Sequence, residues 1–202
     1  MAISMTAEER AAALAALNGR QGLDEAHRLL LAELPRDSWK TARLHPNAAH
    51  WLEIHAWFRQ SAAELGKGAA DAKAERVEPG PFFQWAVPRL NAFLQHLDGH
   101  HRIESLHYFP AFKRQEPRLE SGFELLDRDH GAIDGLLHAL ADEARALQAA
   151  LVANDADKAK AGRERTALAI EATLNPLARH LHDEEDLIVP LLTLRGDPVT
   201  RT

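Results

Sequence analysis

The 202-residue chain contains no cysteine. Disulfides, thiolate zinc sites, iron–sulfur clusters and thiol catalysis are therefore excluded. It has a single tyrosine and few runs of β-branched residues, which argues against sheet. No stretch approaches the roughly eighteen uninterrupted apolar residues of a membrane span. The opening MAISMTAEER carries acid where a signal peptide needs a basic and then an apolar stretch, so a cytoplasmic location is expected. The formal net charge is −6 and the pI about 6.0; neither a nucleic-acid nor an anionic-membrane partner is favoured.

Ala, Leu, Glu and Arg dominate instead, with 46% hydrophobic and 27% charged residues. That is ordinary globular composition, in a chain long enough for one domain with a full core. Apolar residues recur three and four apart in five or six long stretches, the amphipathic helical pattern. The expected helices are Ala7 to Leu17, Leu23 to Leu34, Asn47 (as N-cap) to Leu65, Phe82 to Phe112, Ser121 to Val152 and Asp157 to Leu194. The stretch from Gly66 to Pro81 reads as a loop, and Pro176 as a kink. The fold class expected is all-α: an up-down-up-down four-helix bundle over residues 47–196, with an N-terminal helical extension over 1–46.

Twelve histidines are about two to three times the usual share. Two of them begin matching segments, HHRIESLHYFP from His100 and HLHDEEDLIVP from His180. Each reads His-x-x-x-Glu-x-x-x-x-x-Pro, giving the pairs His100 with Glu104 and His180 with Glu184. Four residues apart on a helix, an imidazole and a carboxylate share a face and can reach one metal or two adjacent metals. A lone HxxxE is usually a surface pair. Two copies in the same relation to proline, both in apolar context, point to a metal site.

The other long helices each need an inward-facing histidine. His130 is followed by Ile133, Leu137 and Leu140, so it lies on a buried stripe. In the preceding helix His50 and His55 compete; about 140° separates them. His50 leads a mixed face of Glu53, Trp57 and Gln60. His55 leads Phe58, Ala62 and Leu65 and is preferred. His96 and His107 are candidates for outer or pocket roles. His101 and His182 are expected to face solvent, His138 an interhelical edge, and His27 and His45 the surface. In the run Asp183-Glu184-Glu185-Asp186 only Glu184 has the phase to face the core.

With these residues in place, the phrases IHAWFR, HHRIESLHYFP, RDHGAI and HLHDEEDLIVP resemble the helix signatures of the hemerythrin-like, or HHE cation-binding, family over roughly residues 47 to 194. The resemblance implies two non-haem irons bridged by Glu104 and Glu184, with His55, His100, His130 and His180 completing the set and a position open for a small ligand. Manganese or zinc would also suit these donors. Two departures from true hemerythrin stand out. Asp134 occupies the place of a second third-helix histidine, and the fourth-helix carboxylate is Glu184, four residues after its histidine rather than an Asp at five. A reversible oxygen carrier is therefore disfavoured. The expected function is binding O2 or a related ligand such as NO or peroxide, for redox sensing, stress response or iron handling. Whether turnover occurs is left open, as is a homodimer. The rivals are an iron- or oxygen-responsive regulatory module without turnover, a ferritin-like oxidase (which expects Glu-x-x-His) and a metal-free interaction bundle.

Overall fold

The computed structural model describes residues 5–199. It is all-helical, with no strand among the described residues. The α-helices are α1 (Ala7–Gly19), α2 (Pro46–Lys73), α3 (Pro79–Ile103), α4 (Phe109–Gln115), α5 (Glu120–Val152) and α6 (Ala156–Arg195). Short 3-10 turns span Glu25–His27, Arg36–Ser38 and Pro117–Leu119, and a π-helical turn, Glu104–Tyr108, joins α3 to α4. No helix among the described residues is long and apolar enough to cross a membrane.

The helix ends follow from local chemistry. Thr6 and Glu9 form a capping box on α1: the Glu9 N–H donates to Thr6 Oγ1 at 3.2 Å, and the Thr6 N–H to Glu9 Oε2 at 2.7 Å. Asn47 is not the N-cap of α2. The helix begins at Pro46, a residue favoured at a first helical position, and the Asn47 N–H donates to His45 Nδ1 at 3.2 Å. Asn154, at φ 54°, makes the turn before α6, and the Asp155 side chain accepts from the Lys158 N–H at 3.1 Å.

Two segments differ from expectation. Residues 23 to 34 hold one 3-10 turn and irregular turns in place of a helix. So short a segment is a marginal helix by itself, and here Leu23 and Leu30 are drawn into an apolar cluster. Helix α2 does not stop at Gly66 but runs on to Lys73. The glycines there give room for close approach. A Cβ on Gly68 would lie 2.1 Å from the Trp85 ring, and one on Gly66 would lie 2.9 Å from Leu174 Cδ1.

The chain divides into two compact units, and each boundary inside the long helices cuts through a helix rather than a linker. One unit comprises residues 58–98 and 133–177. Its interior holds Phe58, Leu65, Phe82, Phe93, Leu140 and Ile170, with Phe58 and Phe93 edge-to-face at 6.2 Å. The other comprises residues 1–57, 99–132 and 178–202. In it Leu23, Leu30 and Trp39 of the N-terminal segment join Trp51, Phe109, Phe112, Phe123, Leu187, Ile188, Val189, Leu191 and Leu192 in one buried cluster.

Replacing Gly68 by Ala should lower stability, because overpacking against Trp85 (about 1–3 kcal/mol) exceeds the helical gain of about 0.5–1 kcal/mol. Gly80, with nothing within 4 Å of its would-be Cβ, should tolerate Ala or gain from it. Urea unfolding of both variants checks the pair; equal midpoints would remove the close-approach account.

Candidate metal centre

Within the unit formed by residues 1–57, 99–132 and 178–202, two groups of donors converge. His101, His130 and His180 form one; His55, His100, Glu104 and Glu184 form the other. In each group the ligand atoms lie within 4.8 Å of one another. His55, Glu104, His180 and Glu184 have no exposure at all.

The two carboxylates connect the groups. Glu104 turns Oε1 to His100 Nε2 at 2.8 Å and Oε2 to His130 Nε2 at 3.4 Å. Glu184 turns Oε1 to His55 Nε2 at 3.6 Å and Oε2 to His180 Nε2 at 3.2 Å. Each carboxylate thus has one oxygen toward each group. His55 Nε2 and His100 Nε2 also face each other at 3.2 Å.

The six residues singled out from sequence all fall in these groups. His50 does not: it sits on the surface with its side chain 68% exposed, beside Glu53. His96, His107 and His138 are exposed as well. His182 is 44% exposed at its side chain. His27 meets Ser121 Oγ at 3.0 Å.

His101 is the correction. Expected in solvent, it is 7% exposed and stacks on His130 with ring centroids 4.0 Å apart. The error lay in the reference direction. Measured from His100 it points about 100° away, but measured from Glu104 the two histidines flank the carboxylate, about 40° to one side and about 60° to the other. His101 supplies the third imidazole of its group. At the third-helix position where hemerythrin has its second histidine, Asp134 is 46% exposed and turned to His138.

Local backbone geometry begins to change at Glu104. Pro110 lacks an N–H and its ring crowds the carbonyl four residues earlier, and the Phe109 N–H bonds five residues back to Glu104. Such π turns recur at functional sites. Pro190 lies in uninterrupted α6, so proline permits the π turn without dictating it.

Three Nδ1 atoms face groups outside the carboxylate pair. His55 Nδ1 lies 3.1 Å from Glu185 Oε1, His180 Nδ1 3.5 Å from Asp129 Oδ2, and His130 Nδ1 2.9 Å from Ser105 Oγ, which itself donates to Asp127. These contacts leave Nε2 of each ring directed at the carboxylates, the usual disposition of metal-binding histidines. Trp51 Nε1 donates to Glu184 Oε1 at 2.6 Å.

Electrostatics divide the donors, and His55 is raised, against burial, by Glu184 and Glu185. Burial and the neighbouring Glu184 push Glu104 well above the carboxylate range. Against its own burial, Glu184 is held well below that range by His55 and His180. Burial, assisted by neighbouring imidazoles, pushes His100 down to about 4 and His101 and His130 well below their usual value. His180 is raised to about 9, against burial, by Asp129 and Glu184. Neutral imidazoles have a lone pair to offer. Both oxygens of Glu104, Glu184 Oε2, Nε2 of His101 and His130, and both ring nitrogens of His180 make no hydrogen bond. Leaving so many buried polar atoms unsatisfied is costly. A bound cation would satisfy those that face inward, so the donor set fits a metal centre.

The sequence model of the Hemerythrin HHE cation binding domain matches residues 47–192. The chain belongs to that family, and the domain is a cation-binding one. No curated protein and no solved structure matches the chain.

Replacing His101 by Ala should lower the metal content of the purified protein, whereas His50→Ala should leave it unchanged. Elemental analysis of the two variants checks this; unchanged content in His101→Ala would remove that residue from the donor set.

Proposed function

We propose that the protein is a cytoplasmic non-haem di-iron protein that binds a small ligand, O2 or a relative such as NO or peroxide, in redox sensing, stress response or iron handling. One observation carries the reading: Glu104 and Glu184 each present one oxygen to each of two histidine groups. A carboxylate so placed is suited to bridge two metals a few ångströms apart. In this assignment His55 and His100 would hold one iron and His101, His130 and His180 the other, with Glu104 and Glu184 available to both. The unequal nitrogen counts, two and three, favour an open position on the first iron. An iron pair would supply adjacent redox-active Lewis-acid centres for a diatomic ligand.

The chain's own residues set the conditions. Trp51, edge-to-face with Tyr108 at 4.9 Å, stands beside His100 and Glu184. Phe109 stacks over His130 at 5.2 Å. Imidazole and carboxylate donors suit iron, with manganese and zinc as competitors. We infer for the domain an up-down-up-down four-helix bundle of α2, α3 with α4, α5 and α6; the family's helical-bundle character supports it.

Protein reconstituted anaerobically with ferrous iron should bind about two irons per chain and, after exposure to air, show the near-ultraviolet absorption of a bridged diferric centre. Glu104→Ala and Glu184→Ala should each lose most of the bound iron, and full occupancy in both would end the bridging assignment. Iron should also raise the melting temperature, because it binds only the folded state; calorimetry with and without iron reads this.

A further inference from the structure

We propose that the N-terminal segment is part of the metal centre, with Arg20 and Arg36 as positioning residues that each orient one ligand histidine through one carboxylate. The inference rests on the two-metal reading above. Both arginines lie outside the family match over 47–192, and each reaches a different donor group.

Arg20 is the C-cap residue of α1, where an extended backbone turns the chain away from the helix. Its Nε donates to Asp183 Oδ2 at 2.7 Å, and its two terminal nitrogens grip both oxygens of Asp129. Asp129 in turn faces His180 Nδ1. Arg36 opens a 3-10 turn and lies over the Trp39 ring at 4.5 Å. Its Nη1 donates to Glu185 Oε2 at 2.8 Å, while Nε and Nη2 donate to Asp186 and Nη2 also to the His182 carbonyl. Glu185 faces His55 Nδ1. The two relays are therefore Arg20–Asp129–His180 and Arg36–Glu185–His55. The first ends in the three-histidine group, the second in the group containing both carboxylates.

A guanidinium presents a rigid planar fork, so it fixes both the position and the rotation of the carboxylate that it grips. The carboxylate then selects the imidazole tautomer with hydrogen on Nδ1 and directs Nε2 inward. Losing such outer partners typically weakens metal binding about 10–100-fold. Linkage makes the coupling reciprocal: whatever frees the segment weakens the metals, and the metals hold the segment down.

The test uses the full chain titrated anaerobically with ferrous iron. Wild type, Arg20→Gln, Arg36→Gln, the two Lys variants and a control at a surface pair, Glu33→Gln, are compared. The expected result is a split isotherm. Each Gln variant keeps one tight iron and weakens the other about 10–100-fold, each Lys variant recovers little because the fork is gone, and Glu33→Gln matches wild type. Limited proteolysis between residues 20 and 45 should be slower in iron-loaded than in iron-free wild type, and this difference should shrink in the Gln variants.

Should a Gln variant misfold, Asp129→Asn and Glu185→Gln interrupt the same relays from the other side and should give the same split. Two tight irons in all folded variants would overturn the positioning role while leaving the metal reading intact. Equal weakening of both irons in each variant would reduce the arginines to general stability. Wild type that binds no iron would overturn both readings, and only that outcome touches the metal reading.

Discussion

Glu104 and Glu184 lie against each other with no access to water, and two carboxylates so placed cannot both stay ionised without positive charge beside them. Around this constraint the unit that contains them is organised. The compromise is a shared one: against burial, His55 and His180 hold Glu184 well below the carboxylate range, and burial beside Glu184 pushes Glu104 well above it. His101 and His130, pushed down by burial, stand beside the pair with Nε2 atoms that make no hydrogen bond. Buried acids and bases whose environments push them in opposite directions characterise functional sites.

A second ring of charge lies outside the first. Asp129, Asp183, Glu185 and Asp186 are all nearly buried, and arginines answer them: Arg20 for Asp129 and Asp183, Arg179 for Asp183, Arg36 for Glu185 and Asp186. Buried ion pairs are poor sources of stability, since desolvation offsets much of the attraction. Their use here is geometric. Asp129 and Glu185, each gripped by a guanidinium, stand at fixed positions facing an imidazole Nδ1, which is what a precise donor set requires.

The repeated His-x-x-x-Glu was readable because its period is that of the helix itself, and His55 and His130 because each heads a run of apolar residues on one face. His101 was not, since a single angle measured from His100 hides that Glu104 lies between the two. The acidic run on α6 reads as a solvated face on composition alone. It becomes interior only because the segment before residue 46 folds over it with Leu23, Leu30 and Trp39 in the same apolar cluster, and no local pattern announces a tertiary contact of that kind. The extension of α2 through Gly66 and Gly68 was hidden for a similar reason: a glycine that ends a helix and one that admits Trp85 look alike until the partner is known.

The two arginine relays are unequal, and the inequality bears on what they can transmit. Arg20 is 12% exposed at its side chain and grips Asp129 with two nitrogens, whereas Arg36 is 32% exposed. Water and salt screen an exposed guanidinium more than a buried one. The contact between Asp129 and His180, at 3.5 Å, is looser than that between Glu185 and His55, at 3.1 Å. The Arg20 relay is thus strong at its outer joint and loose at its inner one, and the Arg36 relay the reverse. A disturbance of the segment therefore enters most easily at Arg36 and passes with least slack to His55. That histidine belongs to the group with two nitrogen donors rather than three, so the more responsive relay leads to the group in which one imidazole is the larger share of the donor nitrogens.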